Sequence, residues 1–450
     1  MNGDAEASSA LHGGALPTPP ASSTRAGRDG RMALLTGVWT AAGVVLYLVA
    51  PMAAPAVLVL AAVAPAAWCW AAQGRLPRRG ASATEAVLAL AGIYFLINAS
   101  WSLSRVEAYL SVALLFAAIG VLHITTTSLP RVPTPALEAM GIGLLAGLGI
   151  GAAFLCFELL SDQWLRRMLA TAYADFRPGQ RHMRMEAGRV TVLNLYLLNQ
   201  CVAALTLTFW PALLVLGRLV VGGAWQRRLL LAGLCLTPVA ILLSEHGTSK
   251  VAFAAAAMIY GIGRVSTLSA GRLLMAGWVV ATLLVAPLAQ LAHGSGLHLA
   301  RWLEHSVRHR IVIWNHTAGA VGKAPLLGSG IDTPRVLHHQ GIGNAPREPG
   351  TNFRLVTSLH SHNAYLQVWH ETGAVGAGFL LVFGLLLLRA IAAQPKALQP
   401  HFCAMFAACA ALAASSFSIW APWLMSVLAL APIFAGVGVA LYARGDGELS

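Results

Sequence analysis

Long apolar runs recur along this whole sequence, and they constrain its fold more than any other feature. A helix needs about 20 apolar residues to cross the hydrocarbon core of a bilayer, which is roughly 30 Å thick. Of the 450 residues, 57% are hydrophobic and only 10% are charged, whereas soluble domains carry roughly 25% charged residues. Runs of suitable length lie at 33–51, 54–72, 84–99, 107–127, 135–158, 191–215, 229–244, 250–263, 273–292, 373–393, 402–419 and 422–442. These twelve runs predict an all-α polytopic membrane protein and exclude a soluble enzyme, a disordered protein and a nucleic-acid-binding domain.

The short loops between these runs indicate how the chain is oriented. Twelve spans place both termini on one side, and the loops on that side carry twelve cations, whereas the other short loops carry only Arg105 and Lys250. The twelve are Arg75, Arg78, Arg79, Arg131, Arg218, Arg227, Arg228, Arg264, Arg272, Arg389, Lys396 and Arg444. By the positive-inside rule, we expect both termini in the cytoplasm.

The predicted spans divide the chain into five parts. Residues 1–32, rich in Ala, Gly, Ser and Pro, predict a disordered cytoplasmic tail. Residues 33–292 hold spans one to nine with a basic outer loop at 159–190, and residues 293–372 form a large outer loop domain between the ninth and tenth spans. Residues 373–443 hold the last three spans, and 444–450 form a cytoplasmic C-terminus. The six cysteines lie inside apolar runs without a C-x-x-C pair, so we expect no disulfide framework.

The two long outer loops are unusually basic. Residues 159–190 carry six cations and residues 293–372 carry seven, and long loops are translocated largely regardless of charge. Arginine forms bidentate hydrogen bonds with phosphate, so a diphosphate is a natural partner for such a surface. Anionic lipid headgroups, or ion pairs within the loops, are the alternative.

Sequence patterns argue against nucleotide and metal sites. Gly141-Ile-Gly143-Leu-Leu-Ala146 matches a dinucleotide fingerprint but lies inside an apolar helix with no preceding strand; the spacing of Gly143, Gly147 and Gly151 instead predicts close helix packing. The chain has no D-x-D motif to hold a metal on a nucleotide sugar. His305 and His309 are four residues apart, as ligands on one helix face would be, but no H-E-x-x-H motif accompanies them, so we predict no metal site.

The segment 358–376 carries the most informative polar residues. It reads Ser-Leu-His-Ser-His-Asn-Ala-Tyr-Leu-Gln-Val-Trp-His-Glu-Thr-Gly-Ala-Val-Gly. His362 lies at the predicted start of a helix, where the helix dipole disfavours an imidazolium, so a neutral ring able to accept a proton is expected. Helix capping or contact with lipid headgroups is the alternative role.

Two motifs resemble those of a known superfamily. His362-Asn363, nine residues, Gly373, two residues and Gly376 resemble the hallmark of O-antigen ligases and O-antigen polymerases. Arg189-Val-Thr-Val-Leu193 resembles the second hallmark of the ligases, an arginine followed four residues later by leucine.

Two shorter pieces are also similar to that superfamily. Gly247-Thr-Ser-Lys250-Val-Ala is similar to its small-Ser-Arg-Gly-Ala stretch, with lysine in place of arginine. Pro325-Leu-Leu-Gly-Ser-Gly330 is similar to its Pro-x-x-Gly-x-Gly turn and follows a predicted helix bearing Arg310 and Trp314.

The resemblance implies a GT-C-like glycosyltransferase of the bacterial inner membrane with a periplasmic active site. Such a ligase transfers O-antigen polysaccharide from undecaprenyl diphosphate to a sugar hydroxyl of lipid A-core within the bilayer, without a cofactor, metal, nucleotide or nucleic acid. Arginines would then stabilise the leaving diphosphate, and a base would take the acceptor proton in a single inverting displacement. Glu245 and Glu371 lack the second acid partner that a covalent route needs.

The implied site residues form three groups. His362 is the predicted base, and Arg189, Arg310 and Lys250 are the predicted diphosphate ligands. The supporting residues are His360, Asn363, Gln367, Arg308 and Arg184, and the structural glycines are Gly373 and Gly376.

Three alternative functions stay open. An O-antigen polymerase would use the same donor but elongate a glycan chain. A protein O-oligosaccharyltransferase usually carries Trp-x-Gln-Ala-His-Asn, which differs from Leu359-His-Ser-His362-Asn363 here. A lipid or solute transporter would need charges that line a path across the membrane, whereas these cluster on one face.

Overall fold

The computed structural model describes residues 21–219, 223–341, 346–355 and 358–445. Its main elements are sixteen helices and one small hairpin, with several single turns of 3₁₀-helix between them. The helices are α1 (Ala21–Val49), α2 (Ala54–Gln73), α3 (Ala83–Ala99), α4 (Arg105–Ser128), α5 (Thr134–Leu160), α6 (Trp164–Ala172), α7 (Asn199–Leu216), α8 (Ala224–Leu243), α9 (Gly247–Val265), α10 (Thr267–Leu283), α11 (Val285–Gly294), α12 (His305–Val321), α13 (Thr333–Gly341), α14 (Ala364–Ala392), α15 (Gln399–Ala414) and α16 (Pro422–Gly445).

Several of these helices are long and apolar enough to cross a membrane, which confirms a polytopic membrane protein. In the described ranges eight helices meet this criterion, or nine if the bent pair α10–α11 counts as one span. The third predicted run coincides with the shorter apolar helix α3, and the eighth lies in α9. The eleventh run, 402–419, is corrected: α15 ends at Ala414, and residues 415–419 lie in the turn before α16. The total of twelve spans stays a prediction.

The structure corrects two boundaries in the first half of the chain. The helix α1 begins at Ala21, so residues 21–32 of the predicted tail are helical, while residues 1–20 lie outside the described part. The run 191–215 is not one helix, because residues 189–193 form a strand and α7 begins at Asn199. This strand, β2 (Arg189–Leu193), pairs antiparallel with β1 (Met183–Glu186). Val190 and Leu193 are buried against Ala170 of α6. Regular alternation would place these two residues on opposite faces, but the register shift between Arg184 and Met185 leaves Thr191 without an opposite residue and brings both to the same face. The fold is therefore not strictly all-α.

Two later boundaries are also corrected. The run 273–292 is broken into α10 and α11, which meet at an angle of 72°. Pro287 explains the break, since it has no N–H to donate to the carbonyl of Leu283. The helix α14 begins at Ala364, so it includes residues 364–372, which were assigned to the outer loop domain.

Small residues bring α1 and α5 into close contact. The backbone of Gly37 touches Ala139 and Gly143, and Leu48 lies against Gly151 further along, so the two helices run in the same direction. A Cβ added at Gly147 would lie 2.7 Å from Val44 Cβ. The predicted helix-packing role of Gly143, Gly147 and Gly151 is confirmed.

The two ends of the helix bundle are distinguished by these contacts. Arg444, near the end of α16, donates to Thr134 Oγ1 at the start of α5 at 2.6 Å. Because α5 runs parallel to α1, the start of α1 and the end of α16 lie at the same end of the bundle. The opposite end holds the α15–α16 turn and the last turn of α1, where the Arg166 guanidinium donates to the Val49 carbonyl at 3.0 Å.

Candidate active site

His362 lies in the segment that leads into α14, at the end of the bundle opposite to the chain termini. Its φ is +54°, in the left-handed region that a β-carbon disfavours. The next residue, Asn363, caps α14 by accepting the N–H of Leu366 at 3.0 Å. The predicted place of His362 at the start of a helix is confirmed, and strain of this kind is concentrated at functional sites.

The hydrogen bond of His362 defines its tautomer. Its Nδ1 is 3.1 Å from the carbonyl oxygen of Ser416, in the α15–α16 turn. A carbonyl oxygen only accepts, so Nδ1 carries the proton and Nε2 is left with a free lone pair. Burial, followed by the nearby Arg310 charge, lowers the pKa of His362 to about 4. The ring is therefore neutral near pH 7, as a proton acceptor must be.

Arg310 lies beside the same turn. Its guanidinium donates to Ser415 Oγ at 3.0 Å and to Thr248 Oγ1 at 3.4 Å, and the Thr248 hydroxyl in turn donates to the Ser415 carbonyl at 2.8 Å. Within the described ranges no carboxylate lies within ion-pair distance of Arg310, whose side chain is half-buried. A half-buried guanidinium whose hydrogen bonds go to neutral hydroxyls keeps its charge available to an anion.

A tryptophan joins the helix of Arg310 to the segment of His362. The indole N–H of Trp314, one turn after Arg310 in α12, donates to the Ser361 carbonyl at 2.9 Å. This bond and the two contacts with the α15–α16 turn hold the imidazole and the guanidinium in one site.

Two further histidines flank this pair. The His360 ring centroid is 4.2 Å from that of His362, and its Nε2 is buried without a hydrogen-bond partner in the described part. His246, in the α8–α9 turn, binds Ser249 Oγ through Nδ1 at 2.7 Å. Burial, followed by the Arg310 charge, lowers the pKa of His246 to about 4. Burial likewise lowers the pKa of His360 to about 3.

Some participants were missed by the sequence. His246, Thr248, Ser415 and Ser416 were not predicted, although Thr248 belongs to the Gly247–Lys250 stretch already singled out. Isolated hydroxyls and a lone histidine form no recognisable sequence motif. Only folding brings the α8–α9 turn, the α15–α16 turn and the segment before α14 together.

The other predicted cations are placed differently. Arg189 and Arg184 are exposed on the β1–β2 hairpin, where Arg184 lies 4.0 Å from Glu186. They share the end of the bundle with His362, but no contact in the described part brings them to it. Lys250 is half-buried in the first turn of α9, and Arg308 has a buried Nε without a partner among described residues.

Two predicted supporting residues have structural partners. Asn363 caps α14, as described above. The Gln367 amide is fully used: Nε2 donates to Glu371 Oε1 at 2.9 Å and to Ser418 Oγ at 3.0 Å, and Oε1 accepts the Ile419 N–H at 3.2 Å. Gln367 therefore fastens α14 to the turn that binds His362 and Arg310.

The backbone of α14 is broken at Gly373, which has φ +62° and ψ −162°. The break frees peptide groups that would otherwise bond within the helix, and the segment 325–331 pairs with them. The bonds are Ala374 N–H to Pro325 O at 2.8 Å, Ser329 N–H to His370 O at 2.9 Å and Gly330 N–H to Glu371 O at 2.9 Å. A Cβ on Gly373 would collide with the Leu326 carbonyl, and one on Gly376 would collide with Thr372. Close backbone approach therefore requires Gly373, whereas Gly376 leaves room for the Thr372 side chain one turn earlier in the helix.

Side chains from α3, α14 and the α15–α16 turn complete the junction between α14 and the segment 325–331. Asn98 of α3 donates to Leu327 O at 3.0 Å and to Glu371 O at 3.1 Å, and accepts the Ile331 N–H at 2.9 Å. The Glu371 carboxylate is fully buried and accepts hydrogen bonds from Gln367 and Trp420. This junction positions the start of α14, and with it His362.

Comparison with known proteins points in one direction. Residues 231–381 match the model of the O-antigen ligase family, and this region contains His246, Arg310, His362 and Gly373 but not Arg189. A protein of Rickettsia conorii, provisionally named a polysaccharide ligase, is 25% identical over 287 residues, which cover 62% of this chain and 62% of the relative. No solved structure matches the chain. These findings support a member of the O-antigen ligase superfamily.

Proposed function

We propose that this member of the O-antigen ligase superfamily transfers O-antigen polysaccharide from undecaprenyl diphosphate to a sugar hydroxyl of lipid A-core. The reaction takes place at the periplasmic face of the inner membrane, with both chain termini in the cytoplasm. The observation that carries the proposal is the convergence of a neutral imidazole, His362, and a guanidinium, Arg310, on one turn between α15 and α16; among the described residues Arg310 has no carboxylate in ion-pair distance.

The two groups divide the chemistry between them. The acceptor hydroxyl oxygen attacks the anomeric carbon and forms the new glycosidic bond, while its proton passes to His362 Nε2. The bond from the anomeric carbon to the diphosphate oxygen breaks, and Arg310 stabilises the charge that develops on this leaving group. A single displacement of this kind inverts the anomeric configuration and needs no metal at the reacting atoms.

The bound donor also prepares the base. The Arg310 charge is one cause of the low pKa of His362, so an anionic diphosphate that neutralises Arg310 raises that pKa towards the working pH. The imidazole then becomes a stronger base when the donor is in place. Arg189 and Lys250 are proposed to attract and hold the diphosphate further from the reacting atoms.

The direct test removes the proposed base without disturbing the backbone. His362→Gly suits the φ of +54°, and loss of a general base typically costs about 10²–10⁴ in rate. We expect His362→Gly and His362→Ala to lose transfer in a purified assay with lipid-linked donor and lipid A-core, and added imidazole to restore part of the activity of the glycine variant.

The matched control is His339→Ala, which removes an exposed histidine of α13. It should transfer glycan at the wild-type rate. Near-normal transfer by His362→Gly would remove His362 from the mechanism. Transfer to a growing glycan in place of lipid A-core would identify the chain as a polymerase instead.

A further inference from the structure

A second histidine cluster lies outside the proposed active site. His293 at the end of α11, His298 in the following turn and Glu348 converge, and their ligand atoms lie within 4.8 Å of one another. His298 and Glu348 are 6% and 8% exposed. The nitrogen Nε2 of His293 is 3.2 Å from Glu348 Oε1, and that of His298 is 3.7 Å from the same oxygen.

Neither contact combines the distance and the angle of a hydrogen bond. The separation of 3.7 Å is too long for a hydrogen bond, and His293 Nε2 is a buried atom without a hydrogen-bond partner in the described part. Two ligand atoms that bind one tetrahedral zinc ion at about 2.0–2.1 Å lie roughly 3.3 Å apart. The two separations between a histidine nitrogen and Glu348 Oε1, 3.2 and 3.7 Å, are close to that value.

The arrangement of the two rings shows what cation binding would require. The two imidazoles are parallel within 4° with their centroids 4.0 Å apart. An imidazole binds a cation along the lone pair in its ring plane, so a cation in the plane of one of these stacked rings lies out of the plane of the other. One ring must therefore turn about its Cβ–Cγ bond when a cation binds.

We propose that His293, His298 and Glu348 bind a divalent cation, for which two nitrogen donors and one oxygen favour zinc. Two histidines and one carboxylate supply three of the four ligands of a tetrahedral ion and leave the fourth position to water.

The ion would join the segment 346–355 to the end of α11 and, through Phe353, to the start of α12. Within 346–355, the Glu348 N–H donates to the Phe353 carbonyl at 2.8 Å, and the Phe353 ring stacks on His309 with centroids 4.8 Å apart. His309 is the residue before Arg310 in α12. A cation at Glu348 thus joins this segment to α11 and holds Phe353 over the start of α12. This role is structural and does not depend on the proposed chemistry.

The test measures metal content in the full chain, purified in detergent with a tag that lacks histidine. The protein is stripped with a chelator, incubated with zinc chloride, desalted and analysed for zinc by mass spectrometry. We expect Glu348→Gln and His298→Ala each to lose one zinc per chain and His339→Ala to lose none. Because loss of even an outer contact weakens metal binding about 10–100-fold, removal of a ligand should weaken it at least tenfold.

A second measurement needs no variant. Zinc added to the stripped wild-type protein should raise its thermal unfolding midpoint in proportion to the logarithm of the zinc concentration above Kd, and Glu348→Gln should abolish this rise. The proposal is overturned if the wild type binds no zinc after reloading, or if Glu348→Gln binds it with unchanged stoichiometry and affinity. Neither outcome bears on transfer by His362, so the two proposals fail separately.

Discussion

Replacing Arg310 by glutamine tests both roles proposed for its guanidinium. Glutamine keeps a donor for Ser415 but removes the guanidinium charge that α12 places beside the α15–α16 turn. Loss of one preorganised group that stabilises developing negative charge costs about 10²–10³ in kcat, or roughly 3–4 kcal/mol of transition-state stabilisation. We expect a fall of this size at pH 7.

The same substitution should change the pH dependence in a defined direction. The pKa of His362 is lowered to about 4, first by burial and second by Arg310. The ring is neutral and active above that pKa and protonated and inactive below it, so activity of the wild type falls only as the pH drops through about 4. Without the Arg310 charge the pKa of His362 rises, so the acid limb of the pH–activity profile moves to higher pH. The pKa stays below the ordinary value of 6.5, because burial still lowers it.

The assay is kcat/KM for the lipid-linked donor against pH, since this quantity reports the free enzyme. Each sample is returned to pH 7 and assayed again, so that acid inactivation is separated from titration. Arg301→Gln, which removes an exposed arginine from the same outer region, is the matched control and should leave the limb in place. An acid limb that does not move in Arg310→Gln, or moves downward, would refute the coupling between the two side chains.

Three further substitutions test the surroundings of the site. Gly373→Ala forces a Cβ against the Leu326 carbonyl at a φ of +62°. Backbone strain of this kind costs about 1–3 kcal/mol before the clash is counted, so the yield of folded protein in size-exclusion chromatography should fall. The control Gly378→Ala, at an open position of the same helix, should fold normally. Asn98→Ala removes three hydrogen bonds and leaves the buried Ile331 N–H without its partner, because Gly330 still donates to the Glu371 carbonyl and Tyr94 to the Leu327 carbonyl. The unpaired group costs about 1–3 kcal/mol, so the thermal midpoint should fall; an unchanged midpoint would contradict the role of Asn98 in the junction between α14 and the segment 325–331. Arg189→Ala should raise KM for the donor more than KM for the acceptor. It should leave the thermal midpoint unchanged, because this exposed side chain has no partner in the described part. An effect confined to the acceptor would exclude Arg189 as a diphosphate ligand.

The local features of the fold were determined by the sequence alone. Hydropathy and length identify helices that cross a membrane, because each such helix satisfies its own backbone hydrogen bonds and needs only apolar side chains to face the lipid. Pattern also placed His362 at a helix start and marked Gly373 and Gly376. The consecutive β-branched residues Val190, Thr191 and Val192 were a strand signal, but the apolar character of the longer run 191–215 outweighed it in the prediction.

Only the tertiary structure decided which polar groups meet. Asn98 and Ile331 are hydrogen-bonded across 233 positions, and Arg310 and Ser415 across 105. A buried polar group must find a partner, but nothing in its own neighbourhood of sequence says which one. The sequence predicted an enzyme whose substrate is a membrane-bound diphosphate, but it did not say which cation lies beside His362. The packing of distant turns placed Arg310 there, and not Arg189.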